Sequence, residues 1–428
     1  IWALRREANG LAWAFPPPSP WSEPVRLSQG QGFPGLPAVA ADDDGGLHVL
    51  WSEGDLPPST AGWFPLPGDE GGTALSYTYW DGFRWTGPAQ VLESPEGRAT
   101  HPSLVAVGKQ LHVVWSGGLD GQVYYSRAFL GDGSTASNWS EPLAMPGPQG
   151  AQGIGAAPDL VADLGSNLHL VYAVPLNEGR GIYYLRSDDG GESWSPLHCV
   201  FNAATAGWAS VNSPVLALDL DGTLYVVWVR ATLSSGVSEG IYFARSHDGG
   251  QSWSQPFPIA EGDCRSPQVA VTHAGRVHII WQEGGNKGAW SYRRSVDGGQ
   301  NWAPAVRVRG FGDLQGRPAL VSDLAGDMYL LGVALDEIGE PLLRFMTWDT
   351  GAHQWGTMDA YLVGQGINGS ADVDAVLLVG RGQLDVVLRG IVLNREDEEQ
   401  TALVYTRRSI AAVEQLPAPL TSPVPTET

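Results

Sequence analysis

The chain has 428 residues, 43% of them apolar, ample for one large single-domain core. Its 46 acidic and 25 basic residues leave a formal net charge of −21. That excludes nucleic acid as a partner, because phosphate binding needs a cationic footprint. No apolar stretch is long enough to span a membrane, so no membrane insertion of this segment is expected. The two cysteines, Cys199 and Cys264, have no zinc-site spacing and leave a disulfide or two unpaired thiols open. No metal or cofactor is implied, since residues 42–44, three Asp followed by two Gly, lack the spaced ligands of a calcium loop.

In chain order, residues 1–20 form an N-terminal segment, and the 1–6 run has no assigned role. A strand is expected over 21–27. From Pro37 a unit repeats. Its first apolar run starts at a proline: Pro37 (PAVAAD), Pro102 (PSLVAV), Pro158 (PDLVAD), Pro214 (PVLALD), Pro267 (PQVAVT) and Pro318 (PALVSD). After a Gly or Asp turn comes a second run: LHVLW, LHVVW, LHLVY, LYVVW, VHIIW, MYLLG. A variable loop leads to a third: LSYTY, VYYSR, IYYLR, IYFAR, WSYRR. These Val-, Ile- and Tyr-rich runs, bounded by Gly and Pro, read as strands. The longest loop, 53–73, carries Trp63 and Phe64 and suits a lid or contact surface. Trp63, Trp208 and Trp290 fall in or near loops, where they pack or stack on sugar rings.

Each unit closes on a turn and a tryptophan. Three copies are nearly identical: 187–194 (SDDGGESW), 246–253 (SHDGGQSW) and 295–302 (SVDGGQNW). The Gly pair marks a tight turn, the Asp can accept its backbone N–H groups, and the Trp anchors it. The register extends to Trp21, Trp85, Trp139, Trp194, Trp253, Trp302 and Trp355, with gaps from 49 residues (Trp253 to Trp302) to 64 (Trp21 to Trp85). Four antiparallel strands per period of about fifty residues is the signature of an all-β propeller. The last unit has strands near 374–379, 384–388 and 402–406 but no fourth. The 21–27 strand is expected to supply it and close the ring over residues 21–410. This gives seven blades; without the last unit as a blade there are six.

The S-x-D-G-G-x-x-W turns make the chain resemble the Asp-box propellers, the sialidase-like (BNR-repeat) superfamily, over roughly residues 21–408. The resemblance implies that Asp189, Asp248 and Asp297, with Trp194, Trp253 and Trp302, are structural. Asp-boxes lie between third and fourth strands, away from the active centre. It also implies where to look for chemistry. Family sialidases hold a substrate carboxylate with three arginines, whose planar donors suit it, and use a Tyr nucleophile with a Glu partner and an Asp acid/base. Arg98 (GRATHP), Arg265 (CRSP) and Arg317 (GRP) occupy the connection into a first strand, on the upper face. Arg265-Ser-Pro resembles the family's Arg-Ile-Pro element, and Arg317-Pro is a compressed version. They are the anion-site candidates. The catalytic half departs from the family, because the tyrosines lie inside strands. Glu53 and Glu283, at the same blade position, are the candidate acids, and the catalytic set is otherwise unknown.

Two function classes follow. One is a propeller that recognises a glycan or a surface protein without catalysis; the other is an exo-sialidase-type hydrolase. The Pro/Thr-rich tail, residues 411–428, reads as a linker suited to tethering, which implies an extracellular or cell-surface address.

Overall fold

The computed structural model describes residues 20–28, 33–54, 72–95, 97–117, 121–148, 156–232, 237–272, 275–284, 289–309, 314–322, 326–335, 341–349, 351–356, 359–362, 373–378, 382–393 and 399–410. Expectations for the 1–6 run, for Trp63 and Phe64, and for the tail lie outside these residues. The described chain forms seven antiparallel sheets in a seven-bladed propeller. Blade 1 holds Phe33–Ala41, Leu47–Gly54, Ala74–Trp80 and Ala89–Glu93 in that order from the axis outward. Blades 2 to 6 repeat the order, starting at Ala99–Val107, Ala156–Ala162, Ser210–Leu218, Cys264–Thr272 and Leu314–Ser322. Blade 6 splits its outer strand into Gln354–Trp355 and Asp359–Leu362, matching the loss of its proline and Asp-Gly-Gly core.

Blade 7 consists of Val373–Leu378, Gln383–Leu393 and Glu399–Ser409, and its outer strand is Val25–Arg26. The N-terminal strand therefore closes the ring, as expected from the missing fourth strand. Val25 and Arg26 pair with Tyr405 and Val404, and Leu27 N donates to Leu403 O at 2.8 Å.

The tryptophans explain how identical blades lock together. Each repeat Trp meets the third-strand aromatic of the preceding blade edge-on. The pairs are Tyr77–Trp139, Tyr125–Trp194, Tyr184–Trp253, Phe243–Trp302, Tyr292–Trp355, Phe345–Trp21 and Tyr405–Trp85. Centroids lie 4.9 Å (Tyr405–Trp85) to 6.1 Å (Tyr77–Trp139) apart, the geometry the ring quadrupoles favour. Seven contacts for seven seams complete the circle.

A polar layer sits beneath. Where the second strand carries His, the third carries Tyr, and the hydroxyl meets Nδ1: His48–Tyr77 at 2.7 Å, His112–Tyr125 at 2.8 Å, His169–Tyr184 at 2.7 Å and His278–Tyr292 at 2.7 Å. Where the second strand carries Tyr225 or Tyr329, the third answers with Phe243 or Phe345, which needs no partner. In blade 7 the buried Asp385 accepts from Tyr405 at 2.6 Å and Arg407 at 2.7 Å.

Burial of His112 and His278 makes the fold acid-sensitive. Burial pulls His112 down to about 4 and His278 to about 3. The unfolded chain protonates near pH 6.5, the folded one only below those values. Stability is complete above about pH 6.5 and is lost as pH falls toward 4 and 3. For His112 the loss at pH 4 is on the order of 3 kcal/mol. The urea midpoint should drop between about pH 6 and pH 4, and His112→Gln should flatten that drop. An equal pH dependence in both proteins would contradict this.

Three sequence expectations resolve here. Trp290 is 1% exposed at the start of a third strand, so it is core rather than a sugar platform. Cys199 and Cys264 are both free, one exposed and one buried. No described helix is long and apolar enough to cross a membrane.

Candidate functional site

Antiparallel order places the start of each first strand, the end of each second and the start of each third on one face, here the upper face. The Asp-box turns lie on the other. Asp189, Asp248 and Asp297 each bind their own turn. Asp189 Oδ1 accepts from Ser193 N at 2.9 Å and Ser187 Oγ at 2.8 Å; Asp248 and Asp297 repeat this with Ser252 N and Ser246 Oγ, and with Asn301 N and Ser295 Oγ. These donors hold all three carboxyls at about 2.

On the upper face the first strands touch one another around the ring, and blade 7 touches blade 1. Their inner edges line the axial channel. Each first strand of blades 1 to 5 carries one bulge near its upper end, two residues opposite one; in blade 2, Thr100 and Ser103 face Ser116 and Val114. In blades 2 to 5 the residue before the proline is left-handed: His101 (φ 51°), Ala157 (47°), Ser213 (51°) and Ser266 (48°). Four non-glycine residues in that region mark a strained rim repeated by design of the fold.

Blade 6 differs. Gln315 and Ala319 face Val333 and Leu331, so three residues oppose one. Gly316 takes the left-handed place (φ 76°) and Arg317 is inserted before Pro318. The sequence suggested a compressed Arg-Pro element; the structure shows a lengthened one. Arg317 is exposed as a result.

Two carboxylates missed in the sequence lie on the inner strands of blades 3 and 7. Asp159, on blade 3, accepts from Leu216 N of blade 4 at 2.8 Å and Ser103 Oγ of blade 2 at 3.1 Å. Asp374, on blade 7, accepts from Val39 N of blade 1 at 2.9 Å and from Ala375 N at 3.0 Å. Each ties adjoining first strands at the channel wall. Burial raises both carboxyls, and the Arg317 charge opposes the rise in each. The available signal was an Asp at the start of an inner strand, where blades 1, 4 and 6 have Ala38, Val215 and Ala319.

The other candidates are placed as follows. Arg265 opens blade 5, with Nε 3.0 Å and Nη2 3.3 Å from the two oxygens of Asp263. Arg98 is half-buried just before blade 2. Glu53 Oε2 accepts from Trp51 Nε1 at 3.3 Å and Ser76 Oγ at 3.1 Å, within its own blade. Glu283 is exposed and pairs in register with Cys264, next to Asp263 and Arg265. Trp208 is enclosed by Phe201 (4.3 Å), Tyr242 (4.4 Å) and the Arg230 guanidinium (4.9 Å), so its faces are taken. Among the described residues no His, Cys, Asp and Glu group could hold a metal ion.

Residues 120–331 match the family model described as BNR repeat-like domain. No curated protein matches the chain. Among solved structures, a protein of unknown function from Dyadobacter fermentans is 13% identical with a TM-score of 0.52, covering 91% of this chain and 100% of that one. An ulvan lyase of polysaccharide lyase family PL25 is 10% identical with a TM-score of 0.61, covering 89% and 95%. The NanB sialidase of Streptococcus pneumoniae is 12% identical with a TM-score of 0.48, covering 92% and 71%.

Proposed function

We propose that this chain, a sialidase-like propeller carrying a BNR repeat-like domain, recognises a carboxylate-bearing glycan at its upper central face, outside the cell and without catalysis. The observation that carries this reading is the lengthened blade 6 bulge, which presents Arg317 at the mouth of the channel. A guanidinium there can take a carboxylate through paired N–H donors. Arg265 and Arg98, at the same ends of blades 5 and 2, supply further positive charge. Asp263, Asp159 and Asp374 offset it, so the mouth suits one carboxylate better than a run of sulfates, as does the net charge of −21. The ulvan lyase, a polysaccharide lyase, shares the fold at low identity and lends the glycan class a precedent.

A hydrolase reading has one observation in its favour: Glu283 stands exposed beside the Asp263–Arg265 pair. Against it, Glu53 is held inside its blade. One experiment separates the two. A fluorogenic sialoside and a set of neutral and uronate-bearing glycosides are incubated with wild type, Arg265→Ala, Arg317→Ala and Glu283→Gln. The binding reading expects no turnover by any protein. It also expects at least tenfold weaker capture of carboxylated glycans by Arg317→Ala, since one charged hydrogen bond is worth about 1.5–3 kcal/mol. Turnover abolished in Glu283→Gln would establish the hydrolase instead.

A further inference from the structure

We propose that the seam between blades 3 and 4 is a proton-operated contact: His169 takes up a second ring proton there and so completes a hydrogen-bonded relay from Asp163 to Gly249. The relay has three links. Asp163 Oδ2 lies 3.4 Å from His169 Nε2, His169 Nδ1 lies 2.7 Å from the Tyr184 hydroxyl, and that hydroxyl donates to Gly249 O of the blade 4 turn at 3.0 Å. Neither end supplies hydrogen, since a carboxylate and a carbonyl only accept. Burial raises Asp163, but Asn167 N and Nδ2, donating at 2.8 Å and 2.7 Å, more than offset it and keep the group ionised. Three links need three protons, and a neutral imidazole with one hydroxyl holds two. An imidazolium supplies the third. When it is lost, Nε2–H stays on Asp163, the Tyr184 hydrogen turns to Nδ1, and Gly249 O loses its donor.

Among the described residues only blade 3 is short of a proton. In blade 1, Nε2–H of His48 serves Asp42 at 3.1 Å and the Tyr77 hydroxyl serves Nδ1 at 2.7 Å, two links for two protons. In blade 2, His112 and Tyr125 hold two protons for their own link of 2.8 Å and for Gly190 O at 3.5 Å. In blade 5, His278 meets the Thr272 hydroxyl at 3.3 Å, which brings a proton of its own. The charges facing His169 are Asp163 on its own turn, Arg186 opposite it on the third strand, and Asp188, which pairs with Arg186. Its first-strand neighbour is Val161, and the blade 4 turn brings Asp248 toward Tyr184. Burial lowers His169 and Asp163 opposes it, so the folded chain takes this proton below the 6.5 of an ordinary histidine. Global stability therefore still falls as pH drops through that step. What the proton strengthens is the seam.

Two readouts on the full chain test it. NMR of protein labelled with ring-15N histidine follows each imidazole during acidification, and His169→Gln identifies the signal. At about pH 8 His169 should show the Nε2–H form. On acidification it should gain its second ring proton before His112 and His278 gain theirs, and Asp163→Asn should weaken that uptake about tenfold or more. An Nδ1–H form at about pH 8, uptake after His112 and His278, or uptake unmoved by Asp163→Asn would overturn the relay. The second readout is hydrogen exchange of residues 246–253, corrected for the intrinsic effect of pH. It should slow severalfold as His169 is protonated, relative to residues 295–302, whose turn faces Phe243 and receives no hydroxyl. Tyr184→Phe, a residue that blades 4 and 6 carry at this place as Phe243 and Phe345, keeps the ring and should abolish the slowing. Protonation of His169 with no slowing, or the same slowing in Tyr184→Phe, would show that the proton does not act on the seam.

Discussion

Gly250→Ala should destabilise the protein by about 3–5 kcal/mol, whereas Gly249→Ala should cost only about 1 kcal/mol. Both glycines have positive φ, 87° and 67°, so both substitutions carry the strain of a left-handed Ala. The difference lies in what the new methyl meets. At Gly249 it approaches Arg186 Nη1 at 2.6 Å, the free end of a long side chain that can move. At Gly250 it falls 1.9 Å from Tyr184 Cε1. That ring cannot yield, because its hydroxyl bonds His169 at 2.7 Å and Gly249 O at 3.0 Å, and Trp253 leans on it. Gly191 and Gly299 stand in the same relation to Tyr125 and Phe243. The second Gly of each Asp-box is therefore a seam residue as well as a turn residue. Urea midpoints of the two single variants decide it; equal losses would show that backbone strain is the whole effect.

Removing residues 1–28 should convert the protein into dimers and larger species, and Trp21→Ala alone should cost about 3–5 kcal/mol. Trp21 is 6% exposed, stacked on Tyr361 at 5.5 Å and edge-on to Phe345 at 5.9 Å, with the Arg408 guanidinium 5.2 Å away. Without its strand, the edge of Glu399–Ser409 is bare, and a bare edge pairs with another chain. In blades 1 to 5 the outer strands are short and follow a proline, which blunts them. Light scattering after gel filtration measures the outcome. A synthetic peptide of residues 20–28 should restore the monomer, by donating Ser22 N to Arg407 O (2.7 Å) and Leu27 N to Leu403 O (2.8 Å) again. A truncated chain that stays monomeric and as stable as the parent would show that the latch is dispensable.

The blades were legible because each seam repeats a tryptophan, six of the seven with a proline after it and three with a glycine pair before it, and the roles of all three are local. The closing strand was legible because blade 7 lacked a partner that residues 21–27 could be. The channel mouth was not. Asp159 and Asp374 bond residues of other blades, and no local pattern encodes such a contact. Asp374 even lacks the proline that marks the other first strands. The Gly-Arg-Pro at 316–318 looked shorter than its counterpart at Arg265, yet register against Val333 and Leu331 makes it longer. For Trp208 and Trp290 the sequence left packing and sugar stacking open, and the structure shows both packed.

The most direct measurement is a crystal of the full chain soaked with a carboxylated monosaccharide. The account predicts density over the axial channel, with the carboxylate within hydrogen-bond distance of Arg317 and none of it in an Arg317→Ala crystal. Density at the rim beside Trp208 and Arg230, or at the Asp-box face, with the mouth unoccupied, would contradict it.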